Sequence, residues 1–588
     1  MRFSQEWTPA LKSLSNFKNE FIIFEKAANP IINELTQKRM KLLSLCLILI
    51  PFLGLSQTDL SESVKWSQLY EKSKKVAEPT VIGQDGENIY IIRFIKKKRY
   101  IEKYSLNSLT LKKSLLLELE YNDKDLTLID QFMFDDQPTL YTNFYNKKTE
   151  KSYFFIQTIN TNTLTIGKPV KVAEREIQKS KGFMAGYTTS FRARYGAKMK
   201  RSENGELGIF WTGKHEMKSP PKKGDPPHKT NEFVGALYDA DLQLKSDFEV
   251  KLPWDNFATT KSILSNDGIY YMLGYEYELG EEKKLLRNRV TIEAGQLHVV
   301  MVDTESGEIE TVDIDTEEME IEMLTFRLLS KGGFQVAGLT SEEEKGVSGT
   351  FAITFDDSFE EVNNNSHRFE DDFITTTWSD RSKKKLDKKN KKEDKKGKQK
   401  SVPVFYNYYI DHLIEKPDGT TTMLAEQYYV RVVTTTYTDS QGNMRTRTTY
   451  YYYYNDIIAV NFDAKGDFDW KTLVEKKQVS VNDGGYYSSY FVVPNENEIN
   501  IVYNDSESNI EETEGLSAKD KKALRKNVIG VQVTLDSEGE QSKGKLFEFT
   551  EEVKMRLVPK VCTKAGDDIV FIYAKGKKGH KLGTIRLD

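Results

Sequence analysis

Cysteine is nearly missing from this chain, with two in 588 residues, Cys46 and Cys562. Cys46 lies in an apolar stretch that is expected to be removed, which leaves Cys562 unpaired and excludes a disulfide framework. Histidine is scarce too. His215, His228, His298, His367, His412 and His580 are scattered, and none stands at ligand spacing from a second metal ligand. A strong charge of one sign is lacking: 85 Lys+Arg against 89 Asp+Glu give a net charge of −4, so the whole chain is no general binder of polyanions.

Motifs of catalysis are lacking as well. There is no Walker loop, HExxH, EF-hand loop or nucleophile elbow, and no cofactor is expected. Gly346-Val347-Ser348-Gly349 is one position short of Gly-x-Ser-x-Gly, and Thr377-Trp378-Ser379-Asp380 lacks the glycine and spacing of a sialidase box. No helical hydrolase region is expected after the repeats described below, an expectation that sets the chain apart from prolyl-oligopeptidase relatives.

Long apolar runs are confined to one place. Met40-Lys41 is followed by an apolar stretch over residues 42–55, with small residues at Gly54 and Ser56 before Gln57. This reads as an export signal over 40–56 cleaved between Ser56 and Gln57, with residues 1–39 an unstructured upstream extension. The run falls short of the ~20 apolar residues that span a bilayer, so no integral span is expected after its removal. The expected destination is the periplasm or the extracellular side, with outer-membrane association left open.

What is abundant is aromatic residues, 31 Tyr and 31 Phe, on 38% hydrophobic residues. Aromatics suit pleated, half-buried surfaces. Two landmarks alternate eight times along the chain. The first is a tight turn before an apolar strand, at Asp85-Gly86, Asp135-Asp136, Asn204-Gly205, Asp267-Gly268, Gly332-Gly333, Asp418-Gly419, Pro494-Asn495 and Gly566-Asp567. The second is a strand that ends in an apolar residue and then Asp or Asn. It ends at Asn107, Asn160, Asp239, Asp303, Asp356, Asp463, Asp536 and Asp588.

Each unit therefore reads as strand a, tight turn, strand b, variable loop, strand c, short turn, strand d. The fourth unit places these near 259–264, 269–275, 298–302 and 309–314. Four-strand units of about 40–50 residues mark propeller blades. The fold class expected over 57–588 is all-β, a single β-propeller of about eight four-stranded blades, with seven or nine also compatible with the landmarks. The last unit runs out after strand c, and the segment 64–70 is the expected donor of its fourth strand. That closure would remove an exposed sheet edge. The Asp residues at equivalent unit positions are expected to cap turns rather than to pair as acid and base.

Insertions gather on the b–c face, and several are rich in lysine: 96–99, 147–148, 214–229, 521–526 and 575–581. The insertion at 381–401 is expected to be disordered. The sixth unit breaks the pattern most. Its strand b is expected to run on into a projecting hairpin over 428–454. Tyr and Arg dominate interface hot spots, so the candidate binding residues are Tyr428, Tyr429, Arg431, Arg445, Arg447, Tyr450, Tyr452 and Tyr454. Tyr486 and Tyr487 join them from the following strand a.

Ser56-Gln57, this hairpin and Asn482-Asp483-Gly484-Gly485-Tyr486-Tyr487 resemble uncharacterised secreted propeller-like proteins of Gram-negative bacteria. That resemblance implies no catalytic residues. The expected function is an exported, non-catalytic scaffold that uses the b–c face and the hairpin to hold a macromolecule, either a protein or an anionic polysaccharide; nucleic acid is not expected. The alternative is a glycan-active enzyme with its site in the central funnel.

Overall fold

The computed structural model describes residues 60–71, 78–134, 136–177, 197–213, 231–282, 289–316, 319–342, 346–396, 401–495, 498–509, 528–549, 554–565 and 568–587. The upstream extension, the export signal with Ser56 and Gln57, and the lysine-rich loops at 214–229 and 521–526 lie outside the described residues. Two further turn landmarks, Asp135 and Gly566-Asp567, lie outside them too.

The described residues form eight antiparallel sheets of four or more strands and one two-stranded ribbon. Seven of the eight follow the chain as meanders. The first is Thr80–Gln84, Asn88–Ile95, Lys98–Ser105 and Leu111–Leu116. The sixth contains Tyr408–Glu415, Thr421–Thr438, Met444–Phe462 and Phe468–Val474. The eighth draws on both ends of the described chain. Met555–Leu557, Ile569–Gly576 and Gly579–Arg586 come last in sequence, and Val64–Trp66 pairs with Gly579–Arg586 in the register Val64↔Ile585, Lys65↔Thr584, Trp66↔Gly583. The segment expected to donate this strand does so.

Burial follows strand position. The middle strands are covered on both faces; Gly349–Phe355 and Ile499–Ser506 are buried throughout. Fourth strands such as Glu361–Arg368 are largely exposed. A strand covered on both sides needs continuous apolar or hydrogen-bonded residues, which is why the second and third strands supply most of the core.

Eight hydrophobic clusters join the sheets in pairs. One unites the first and second sheets through Tyr90, Ile101, Leu140 and Phe155, and another the second and third through Phe154 and Phe210. Ile209 with Met272, then Leu273 with Val336, carry the contact to the fourth and fifth. Ala337 with Val460, then Leu424 with Ile501, carry it to the sixth and seventh. Val502 meets Ile572 of the eighth, and Ile91 and Tyr104 of the first sheet pack with Phe571 and Tyr573 of the eighth.

Turn chemistry is as expected from composition. Asp303, Asp356, Asp463 and Asp536 each accept two backbone N–H groups from residues two to four positions on, at 2.8–3.0 Å. Asn160 does the same for Asn162 and Thr163. These side chains are caps, and each is spent on its own turn.

Two expectations are corrected. The lysine-rich insertion is helical over Asp380–Asp394, not disordered. Ser379 caps it by accepting from the Ser382 N–H, Lys and Glu are good helix formers, and Lys389 and Glu393 pair at i,i+4. None of its residues is buried. In the fourth unit, strands b and c do not stop at 275 and 298. They run as Ile269–Glu282 and Arg289–Asp303, paired out to Glu282↔Arg289, a second long hairpin.

Candidate functional site

The sixth sheet builds the projecting hairpin. Thr421–Thr438 and Met444–Phe462 stay paired from Thr421↔Phe462 to Thr438↔Met444, with one register shift between Glu426 and Tyr428. Below that shift residues 421–426 are buried; beyond it the strand becomes half-buried and then exposed. The run of Val and Thr that follows has high β propensity, so the ladder continues without core support. Asp439 closes the tip by accepting from the Gln441 and Asn443 N–H groups and pairing with Arg445 at 2.9 Å. Gly442 supplies the positive φ of 81° that this turn requires.

Strand alternation splits the arm into two faces. One carries the pairs Val430↔Tyr452 and Val432↔Tyr450, with Met444 near the tip. Val432, Tyr450 and Met444 are 54%, 44% and 78% exposed, with the pairs Thr434↔Thr448 and Thr436↔Thr446 between them on the same face. The other carries Arg431↔Tyr451, Thr435↔Arg447 and Tyr437↔Arg445. Three arginines stand against the single Asp439 over 428–454.

The expected site residues do not all lie on these faces. Arg431, Arg445, Arg447 and Tyr450 are exposed. Tyr428, Tyr429 and Tyr452 are half-buried, and Tyr429 stacks on Tyr453 at 4.4 Å. Tyr454 is buried at the root, where the Lys560 ammonium donates to its hydroxyl at 2.7 Å. Tyr486 and Tyr487 are not in a strand a, which begins only at Tyr490. They sit in the preceding turn, half-buried against the cluster shared by the first and eighth sheets, and Tyr486 donates to Glu78 at 2.8 Å. The two adjacent glycines before them are both at positive φ, and Gly485 lies so close to the Tyr454 ring at the root of the arm that a Cβ there would collide with it.

A buried polar network anchors the root, and sequence reasoning missed it. The Lys476 ammonium, with no side-chain exposure, lies 2.5 Å from Glu426 Oε1 and 3.2 Å from the Tyr454 carbonyl. The second Glu426 oxygen accepts from Ser489 at 2.7 Å. Burial and the Glu426 charge raise the nearby Asp411 carboxyl to about 7, although it accepts from Tyr490 at 3.0 Å. A lysine inside a short strand linker carries no sequence mark that distinguishes it from a solvated one. Alongside the root, Gln478–Val481 pairs with Tyr451–Tyr454.

Among the described residues no group of three or more His, Cys, Asp or Glu is arranged to hold a metal, and no helix is long and apolar enough to cross a membrane. Cys562 is a free thiol, and burial pushes it up to about 12.

No family model and no curated relative matches the chain. Solved structures that match include the Dos1 propeller, at 9% identity and TM-score 0.39, covering 89% of this chain and 96% of that one. The β-propeller domain of the Trilobed protease from Pyrococcus furiosus matches at 8% identity and TM-score 0.31, covering 82% and 98%. A structure from a study of two prolyl endopeptidases matches at 11% identity and TM-score 0.36; the match covers 93% of this chain but 60% of that enzyme. No residue role is carried over from them: the chain is an all-β protein of repeated four-stranded antiparallel sheets whose structural neighbours are β-propeller proteins.

Proposed function

We propose that the chain is an exported eight-bladed propeller, closed into a ring, that holds a macromolecular partner on the hairpin of its sixth blade. The observation that carries the binding role is the arm itself. It extends a long paired ladder beyond the core and displays Val432, Tyr450 and Met444 to solvent, interspersed with threonine pairs. The arginine face favours an acidic protein surface or an anionic polysaccharide. Ring closure is supported by the strand that Val64–Trp66 adds to the eighth sheet and by the cluster shared between the eighth and first sheets. Export is supported by the apolar stretch at 42–55.

The test is affinity capture with the whole chain and with a variant lacking residues 435–448, using an envelope extract in one arm and an acidic polysaccharide column in the other. Loss of capture in either arm, with an unchanged melting temperature, supports the reading. Equal capture by both chains overturns it. Recovery of the protein from an envelope fraction with Gln57 at its N-terminus tests export.

The second reading, a glycan-active enzyme, draws support from Asp411, whose raised carboxyl stands near Glu426. Hydrolysis of a glycan panel that is abolished by Asp411→Asn would favour it.

A further inference from the structure

The outer edge of the projecting hairpin carries unpaired backbone. Tyr408–Glu415 covers the first strand of the arm only as far as Tyr408↔Gln427. Beyond that point the strand pairs on one side alone, with Met444–Phe462. Which groups face outward follows from its two ends. The Tyr428 N–H points outward and donates to the Asn407 carbonyl at 2.9 Å, whereas the Asp439 N–H points inward and donates to the Asn443 carbonyl at 2.9 Å. No register shift intervenes between them, so the backbone groups alternate. Val430, Val432, Thr434, Thr436 and Thr438 therefore direct their N–H and C=O groups away from the arm. Among the described residues no strand or turn takes these groups up.

This edge lacks protection. Native sheets blunt exposed edges with charge, proline or a bulge. Outer strands elsewhere in the chain do so: Leu111–Leu116, Leu244–Lys251 and Gln541–Phe547 each carry two or more charged side chains. Residues 432–438 read Val-Val-Thr-Thr-Thr-Tyr-Thr, with no charge, proline or glycine. All of them but Val433 are exposed. The opposite edge of the arm is guarded, by Arg445 and Arg447 near the tip and by Gln478–Val481 alongside Tyr451–Tyr454.

We propose that the unprotected edge pairs antiparallel with the same edge of a second copy of this chain, joining the two hairpins into one four-stranded sheet. The uncharged segment is centred on Thr435, so pairing over its full length puts the twofold axis there. Thr434 then faces the partner's Thr436, with the outward groups of both bonded, and Val433 faces the partner's Tyr437 as an aliphatic–aromatic pair. One step further out, Arg431 meets the partner's Asp439, so charges match at both ends of the ladder. Asp439, held at 2.9 Å by Arg445 of its own chain, then stands between two guanidinium groups. This self-match favours a second copy over an unrelated strand. A contact that uses the same patch on both copies closes at two, and the guarded opposite edge blocks further addition. The proposal rests on the reading of the hairpin as a binding element and names one partner for it; the arginine face stays open.

Analytical ultracentrifugation of the purified whole chain tests it. The expected result is a reversible dimer at micromolar concentrations. Thr435→Lys and Thr435→Glu each set like charges face to face across the axis and weaken the dimer about fivefold or more. An equimolar mixture of the two variants restores it. Thr434→Pro removes two bonds between the copies, but no backbone bond within the hairpin, and weakens the dimer about tenfold or more. Thr446→Lys, on the opposite edge, leaves it unchanged. Melting temperatures show that each variant is folded, and the charge mixture and Thr434→Pro each stand without the other. A parent chain that stays monomeric up to about 100 μM, single variants that dimerise like the parent, or a mixture that stays monomeric overturns the proposal. Capture of an envelope protein or a polysaccharide by a monomeric chain sinks only the self-pairing, and a dimer without capture sinks only the earlier reading.

Discussion

Arg93 and His580 stand 487 positions apart in the chain, yet Arg93 Nη1 lies 2.8 Å from His580 Nε2. The guanidinium belongs to the second strand of the first sheet and the imidazole to the eighth sheet. Arg93 also donates to Glu102 at 2.7 Å and to the Tyr104 hydroxyl at 3.2 Å. The seam between the first and last sheets is thus bonded by polar groups inside an apolar cluster.

This seam gives a pH dependence with a definite sign. Burial, reinforced by Arg93 and Lys575, lowers His580 from 6.5 to about 4. The unfolded chain therefore takes up a proton near pH 6.5 that the folded chain refuses until about pH 4. Stability from this group is complete above 6.5 and lost as pH falls toward 4. Urea midpoints measured across that window are expected to fall, and His580→Gln is expected to flatten the slope.

The hairpin root is expected to depend on the buried ion pair. Lys476→Met leaves Glu426 charged and unpaired, which costs about 3–5 kcal/mol. The double variant Lys476→Met, Glu426→Gln is expected to recover most of that. Chemical denaturation of the two single variants and the double one checks the non-additivity.

Gly530 lies directly opposite Phe547 in the seventh sheet, and Gly235 opposite Phe248 in the third. A Cβ at either glycine would collide with the facing ring. Gly530→Val is expected to destabilise by about 1–3 kcal/mol through overpacking, measured by thermal unfolding. The effect should shrink when Phe547→Leu is added.

Cys562 offers a probe of local opening. With its thiol held up at about 12, it has almost no thiolate at pH 8. Labelling by a disulfide reagent is expected to be slow in the folded chain and fast in denaturant. Fast labelling under native conditions would contradict the burial of the Cys562 thiol against the Val558 carbonyl.

The repeat was legible in the residues alone because each unit carries its own local chemistry. Asp or Asn at the end of a strand and Gly in a tight turn act within four residues, and the strand alternation needs no distant partner. The same locality made the sixth-unit hairpin visible, as the Val, Thr and Tyr run has no other ordered outcome. Sequence by itself thus determined the repeated strand groups, about eight in number, their turns and the segment at 64–70 as the donor strand. It did not reveal the helix at Asp380–Asp394, because lysine-rich composition looks the same in a solvated helix and a disordered loop. Nor did it separate Tyr450, exposed on the arm, from Tyr454, buried four residues later. That choice rests on how deep the root sinks between neighbouring sheets. The Lys476–Glu426 pair and the Arg93–His580 contact were likewise decided only by the tertiary structure. Each depends on which sheets become neighbours, and charges far apart in the chain interact only once the packed sheets have removed the water between them.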